Sequence, residues 1–152
     1  MLKRSYAFVD GSYNPKTKVY GCGGFLVDQR GKKHILQATG NVPSMAKMRN
    51  VAGEILGAKV AIRKALELHM KKLTLYYDYE GIEKWPTGKW RAKNLYTRDY
   101  SMFVKSAMDD GLKLYFQHVK SHTGIPGNEE ADMLAKTAVG LIETIVKEVV
   151  NK

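Results

Sequence analysis

The sequence predicts an α/β domain on a five-stranded mixed sheet, with strands 1–3 an antiparallel meander, strands 4 and 5 parallel to strand 1, and helices on its flanks. Three observations predict it. Three strand-like segments follow one another at the N-terminus through short, turn-rich links, which favour antiparallel pairing. A long amphipathic helical segment then precedes a fourth, apolar strand, and a strand–helix–strand crossover makes a parallel pair. A further helix and strand repeat that step before a last helix. The chain has 152 residues, which suits one domain over 1–152 and buries roughly 70% of the surface an unfolded chain of that size exposes.

The elements follow in order. Ser5–Asp10 alternates and carries Tyr6, Ala7, Phe8 and Val9, a strand pattern, and Gly11–Lys18 is turn material. Tyr20–Val27 reads as the second strand, its three glycines marking close backbone approach. Asp28–Gly31 makes a turn and Lys33–Gly40 the third strand. From Ala52 to about Met70 the chain is helical, with Ile55, Ala58, Ile62, Ala65 and Leu66 on one stripe and Lys59, Arg63 and Lys64 off it. Leu73–Tyr77 is the fourth strand. Gly81–Trp85 is a short helix stopped by Pro86, Arg98–Met108 a longer one, and Leu112–Val119 the fifth strand. After the loop Ser121–Gly127, Asn128 caps a final helix running to about Val150, whose amphipathic tail is read as packing on the domain.

Composition removes several classes of function. The single Cys22 excludes an internal disulfide framework and a Cys-based zinc site. No stretch approaches the ~18 apolar residues of a membrane span. The N-terminus reaches Asp10 before an apolar run of signal-peptide length forms, which predicts a cytoplasmic protein. The net charge of +10 is uneven: residues 1–76 hold 14 Lys and Arg against 4 acids, and residues 77–152 hold 11 of each sign. A basic half suits a polyanion such as nucleic acid, or is a solvated surface.

Four carboxylates stand where chemistry sits in such a fold. Asp10 ends the first strand and Asp78 the fourth, so both emerge at one sheet edge if those strands are parallel neighbours. Glu54 falls in the first turn of the long helix and Asp132 in the first turn of the last. Singly, an Asp after a strand is most often a turn former, and an early helical Glu complements the helix dipole. Together they repel one another unless cations neutralise them. Oxygen ligands without Cys or clustered His point to Mg²⁺ or Mn²⁺. Two such ions serve in-line phosphoryl displacement, and an acidic centre with basic surroundings suits a nuclease.

The segments YAFVDGSYNP, RNVAGEILGAKVAI, LTLYYD and VKSHTGIPGNEEADMLA resemble, in order and spacing, the type 1 ribonuclease H family, over essentially residues 4–140. The resemblance implies a ribonuclease H-like fold and a metal-dependent endonuclease that hydrolyses the RNA strand of RNA–DNA hybrids, leaving 3′-hydroxyl and 5′-phosphate ends. It implies metal-binding carboxylates at Asp10, Glu54, Asp78 and Asp132, holding two Mg²⁺ with Mn²⁺ as substitute. His122 matches the family's mobile-loop histidine, which assists proton movement or product release, and Glu129 its supporting acid. Asn50, and Asn14 from a shortened first loop, match groove-reading asparagines. Val51 stands where relatives often carry Asn or Gln. Arg49, Ser12 and Ser44 are candidate phosphate donors. The largest departure is EKWPTGKWRAKNLYTRD, a shortened form of the family's basic protrusion. Trp85 is assigned there to the core, and Trp90 with Lys89, Arg91 and Lys93 to the substrate. No membrane and no obligate protein partner is implied, and a monomer suffices. Two rivals remain: a resolvase- or integrase-type nuclease cutting DNA, and a hybrid-binding module without activity.

Overall fold

The computed structural model describes residues 4–120 and 123–142. Five strands form one sheet in the order β3-β2-β1-β4-β5. They are β1 (Tyr6–Asn14), β2 (Val19–Val27), β3 (Lys33–Gly40), β4 (Lys72–Tyr77) and β5 (Lys113–His118). β1 to β3 form the antiparallel meander, and β4 and β5 run parallel to β1. The helices are α1 (Pro43–Ala46), α2 (Asn50–Glu67), α3 (Gly81–Lys84), α4 (Leu95–Asp109) and α5 (Pro126–Ala138). No described helix is long and apolar enough to cross a membrane.

The core lies between one face of the sheet and α2 with α4. Ala7, Val9, Leu73 and Leu75 meet Ile55, Ala58, Ile62 and Ala65 of the expected stripe, with Tyr100 and Val104 from α4. Burying a side chain such as Ile55 or Ile62 contributes about 1.5–3 kcal/mol. Leu66, the last stripe residue, is only half-buried. On the opposite face α5 packs against β1 and β2. The strand glycines make this possible: a Cβ on Gly23 would lie 2.0 Å from the Ala135 backbone nitrogen. Cys22 is buried in β2, and that burial pushes its thiol up to about 12, so it is an inert filler.

Several boundaries differ from the sequence reading, each for a local reason. β1 continues to Asn14 rather than stopping at Asp10, because Gly11 removes the side chain where α2 crosses; a Cβ there would stand 2.3 Å from the Glu54 nitrogen. The short helix α1 was not anticipated; Pro43 stands in its first turn. α4 starts at Leu95, not Arg98, through a capping box in which Asn94 and Thr97 bond reciprocally. α5 starts at Pro126, so Asn128 is a buried helical residue and not the cap. It also ends at Ala138, not near Val150. Gly140 takes φ +80°, and Leu141 N–H closes back on the Lys136 carbonyl at 2.9 Å, a glycine-terminated helix end. The expected amphipathic tail beyond Ile142 lies outside the described residues.

Candidate active site

The β1–β4 ladder ends at the pair Phe8↔Tyr76. Beyond it the two strands part, and the gap is where the acidic side chains collect. Gly11, three residues past that pair, donates its N–H to Glu54 Oε2 at 2.7 Å and to Asp10 Oδ1 at 2.9 Å. Glu54 reaches this point from the second turn of α2, not the first, since the helix starts at Asn50. Asp132 likewise sits in the second turn of α5, because that helix starts three residues earlier than expected, capped at Ile125 and not at Asn128. Asp78 follows the last residue of β4, and its backbone carbonyl lies 2.7 Å from the Nε2 of His118 at the end of β5. The open space between them is a cleft of about 320 Å³, lined by Asp10, Glu54, Asp78 and Asp132 together with Asn50 and Glu129.

The cleft is electrostatically unsatisfied. Burial pushes Asp10 above the usual carboxylate range, with the neighbouring Asp132 adding to the rise. Burial raises Glu54 further, followed by the Asp10 carboxylate beside it. Glu54 Oε1 is buried and is without a hydrogen-bond partner. A nearby cation, Lys136, pairs with Asp132 at 3.0 Å across one helical turn, and both side chains are partly exposed.

This donor set fits a divalent metal. An orphaned buried carboxylate oxygen and neighbouring acids that burial disfavours as anions are relieved together by a hard cation. Among the described residues no three acidic or His side chains are drawn into a closed cage.

The other sequence candidates divide. Asn50 lines the cleft, and so does Val51 beside it. Arg49 does not; its guanidinium lies 4.9 Å from the Tyr13 ring centre, at an adjoining groove that also includes Lys18 and Lys47. Ser12 and Asn14 are buried within β1. The Asn14 amide donates to the Val139 carbonyl at 2.9 Å and accepts from Lys16 N–H at 3.0 Å, so it clasps the end of α5 to the first hairpin. Ser44 bonds Tyr96. Trp90 packs edge-on against Trp85 and Tyr79, each at 6.0 Å, with Lys84 over its ring at 5.2 Å. Trp85 is half-buried against the core, as assigned. Lys89, Arg91 and Lys93 are exposed and stand outside the cleft lining. His122 lies outside the described residues.

Three cleft-edge residues escaped the sequence reading. Tyr79 and Asn128 both line the cleft. Tyr79 directly follows Asp78, an available signal. Asn128 was read as a cap, and only the start of α5 at Pro126 turns it inward. His118 braces the Asp78 backbone from the neighbouring strand, which needs the β4–β5 register to be seen.

Comparison with known proteins gives one picture. A sequence model of the RNase H family matches residues 3–140. Ribonuclease H1 of Mus musculus is 32% identical over 101 residues, covering 59% of this chain and 35% of the relative. That of Homo sapiens is 31% identical over the same length and shares. The match thus spans about a third of the length of these curated relatives. Among solved structures, RNase H1 from the halophilic archaeon Halobacterium salinarum NRC-1 superposes with a TM-score of 0.74 at 22% identity, over 91% of this chain and 99% of that one. LC11-RNase H1, solved in complex with an RNA/DNA hybrid, gives 0.66 at 15% identity, over 89% and 99%. At these identities the structural likeness establishes the fold.

Proposed function

The chain belongs to the RNase H family, and from that premise we propose that it is a ribonuclease H, an endonuclease hydrolysing the RNA strand of RNA–DNA hybrids to 3′-hydroxyl and 5′-phosphate ends. The observation that carries this reading is the convergence of Asp10, Glu54, Asp78 and Asp132 on one cleft, with Asn50 at its rim. The hybrid held by LC11-RNase H1, on the same fold, supports the choice of substrate.

The protein's residues have separable tasks in this proposal. Asp10 and Glu54 are anchored on one backbone N–H, so their free oxygens are aimed into the cleft before substrate arrives. Asp78 and Asp132 complete the set of ligands for two Mg²⁺, with Mn²⁺ as substitute. Bound there, such ions lower the pKa of a water and stabilise the charge on the leaving 3′ oxygen. Asn50 offers an amide at the cleft rim, where the 2′-hydroxyls of the minor groove distinguish RNA from DNA. Arg49, Lys89, Arg91 and Lys93 neutralise phosphates from outside the cleft. His122 handles a proton or helps the product leave.

The test is cleavage of a hybrid labelled on either strand, beside duplex DNA of the same sequence, with and without Mg²⁺. Only the RNA strand of the hybrid is expected to be cut, and only with the metal. Equal cleavage of duplex DNA would point to a DNA nuclease, and binding without turnover to a hybrid-binding module; either overturns the proposal.

A further inference from the structure

The sheet face that carries α5 is only partly covered by it. Leu36, Leu26, Ala7, Val9, Leu75 and Leu114 point into the α2–α4 core. Strand alternation therefore turns their neighbours to the opposite face. The register aligns them into transverse rows. The row nearest the cleft reads Ile35, Phe25, Phe8, Tyr76, Gln117, and the next reads Lys33, Val27, Tyr6, Thr74, Tyr115. A third step along β4 and β5 places Lys72 beside Lys113 on this face, both exposed. Among the described residues α5 is the helix on this side, and it packs on β1, β2 and β3. Ile35 is 52% and Tyr115 54% exposed.

The aromatic side chains form a built platform. Phe8 and Tyr76 stack at 4.4 Å with 7° between planes, and Tyr6 meets Phe8, Phe25 and Tyr76 edge-on at 6.1–6.2 Å. Lys33 lies 4.5 Å over the Phe25 ring while pairing with Glu130. Two properties select the occupant. Cations border an aromatic surface, the combination that holds single strands through phosphate pairing and base stacking, and an open sheet of this kind stacks two or three bases. The strands also lead towards the cleft: Asp78 lies two residues beyond Tyr76 of β4, and Tyr76 stands beside the Phe8 ring, on which Gly127 of α5 packs.

We propose that this open face, with Tyr115 and Tyr6 stacking bases and Lys72 and Lys113 on phosphates, binds single-stranded DNA running on from the hybrid in the cleft. The choice of DNA rests on the ribonuclease H reading, in which the RNA is cut and the DNA strand stays continuous. Six residues of β4 separate Asp78 from Lys72, about 20 Å at ~3.3 Å per residue. That length accommodates a few nucleotides.

The experiment uses the full chain, without metal, and fluorescently labelled dT12 and rU12, with melting curves to verify that each variant folds. Wild type is expected to bind dT12, and an unlabelled blunt hybrid is expected not to displace it. Tyr115→Ala is expected to weaken dT12 binding about tenfold, as the loss of one stacked base does. Lys72→Ala with Lys113→Ala is expected to flatten the log–log salt dependence by about 1.4, at ~0.7 per single-strand phosphate contact. Both variants are expected to cleave a blunt hybrid within about twofold of wild type, and to show a raised KM only for a hybrid with a DNA overhang. Undiminished dT12 binding by these variants, binding of rU12 alone, displacement by blunt hybrid, or a wild type that self-associates through Tyr115 instead of binding dT12 would each overturn the proposal. Failure to cleave any hybrid while dT12 still binds through Tyr115 would contradict the ribonuclease reading and leave the binding face standing.

Discussion

Asp10 on β1 and Asp28 in the β2–β3 turn are 8% and 6% exposed, and they are pushed in opposite directions. Burial, with Asp132 beside it, holds Asp10 above the ordinary carboxylate range, while hydrogen bonding with Glu54 and the Gly11 N–H pulls the other way. Asp28 is lowered to about 2, chiefly by the His34 ring at 2.9 Å and then by the N–H groups of Lys32 and Arg30. Burial dominates at Asp10, whereas at Asp28 hydrogen-bond donors outweigh it. Around Asp28 the β2–β3 turn wraps donors about a carboxylate, and the fold gains by it. Around Asp10 the fold brings further carboxylates to a buried group, and the shared Gly11 N–H and the contact with Glu54 only partly offset the burial. The first arrangement stabilises the fold unaided, and the second calls for a cation from outside.

The sharpest way to break this comparison is to neutralise each aspartate in turn. Asp10→Asn is expected to reduce hybrid cleavage by several orders of magnitude. It should leave hybrid binding nearly intact, because phosphate and groove contacts do most of the holding. Its metal-free melting temperature is expected to equal or exceed that of wild type, since a repelled charge is gone. Asp28→Asn is expected to do the reverse, lowering the melting temperature while kcat on folded protein stays unchanged. Cleavage kinetics and thermal melts on both variants read the crossing, and equal activity loss in the two would erase the distinction.

On the proposed reading, in which metal ions supply most of the rate, His122→Ala is expected to have a smaller effect, a fall in kcat with little change in KM. A loss as complete as that of Asp10→Asn would make His122 a metal ligand. Smaller still is the effect of replacing Lys89, Arg91 and Lys93 together by Ala. Hybrid KM should rise and its log–log salt dependence should flatten by about 0.9 per lost contact, with kcat at saturation unchanged. Identical salt slopes would leave that segment a solvated loop.

Asp28 also sets a pH dependence. Its folded-state pKa lies below the ordinary 3.8, so its contribution to stability is fully present above about pH 4 and is lost as pH falls through about 2. Denaturant melts between pH 5 and pH 2 should show wild type losing stability towards Asp28→Asn, with the two converging at the acid end. A constant difference across that range would remove Asp28 as the cause.

Much of this was legible in the residues. The third strand, Lys33–Gly40, was read to its ends because turn residues bound a β-pattern on both sides. The four acids were singled out from their nearness to strand ends and helix starts, and parallel strand order does bring them to one cleft, although β1 runs on past Asp10 and Glu54 and Asp132 stand in second turns. What was lost depends on contacts distant in sequence. Asn14 reads as a turn residue with a groove-reading role, yet its amide partner is Val139, at the far end of the chain. The strand through Gly11 looked like a turn because its glycine serves α2 packing, not chain reversal. The end of α5 was overrun because apolar residues continue the helical period past Gly140, whose φ of +80° closes the helix. The aromatic face was invisible until register set Phe8 beside Tyr76 and brought Tyr6 and Tyr115 into the adjoining row.

The claim that the Asp10 cluster awaits a cation is tested most directly by Mg²⁺ titration of the melting temperature, without nucleic acid, in wild type and Asp10→Asn. A ligand that binds only the folded state stabilises it by RT ln(1 + [L]/Kd), about 2.7 kcal/mol at one hundred times Kd. Wild type is predicted to melt higher with each increment of Mg²⁺, and Asp10→Asn to respond far less. Equal shifts in the two proteins, or no shift in wild type at Mg²⁺ concentrations that support cleavage, would contradict the account.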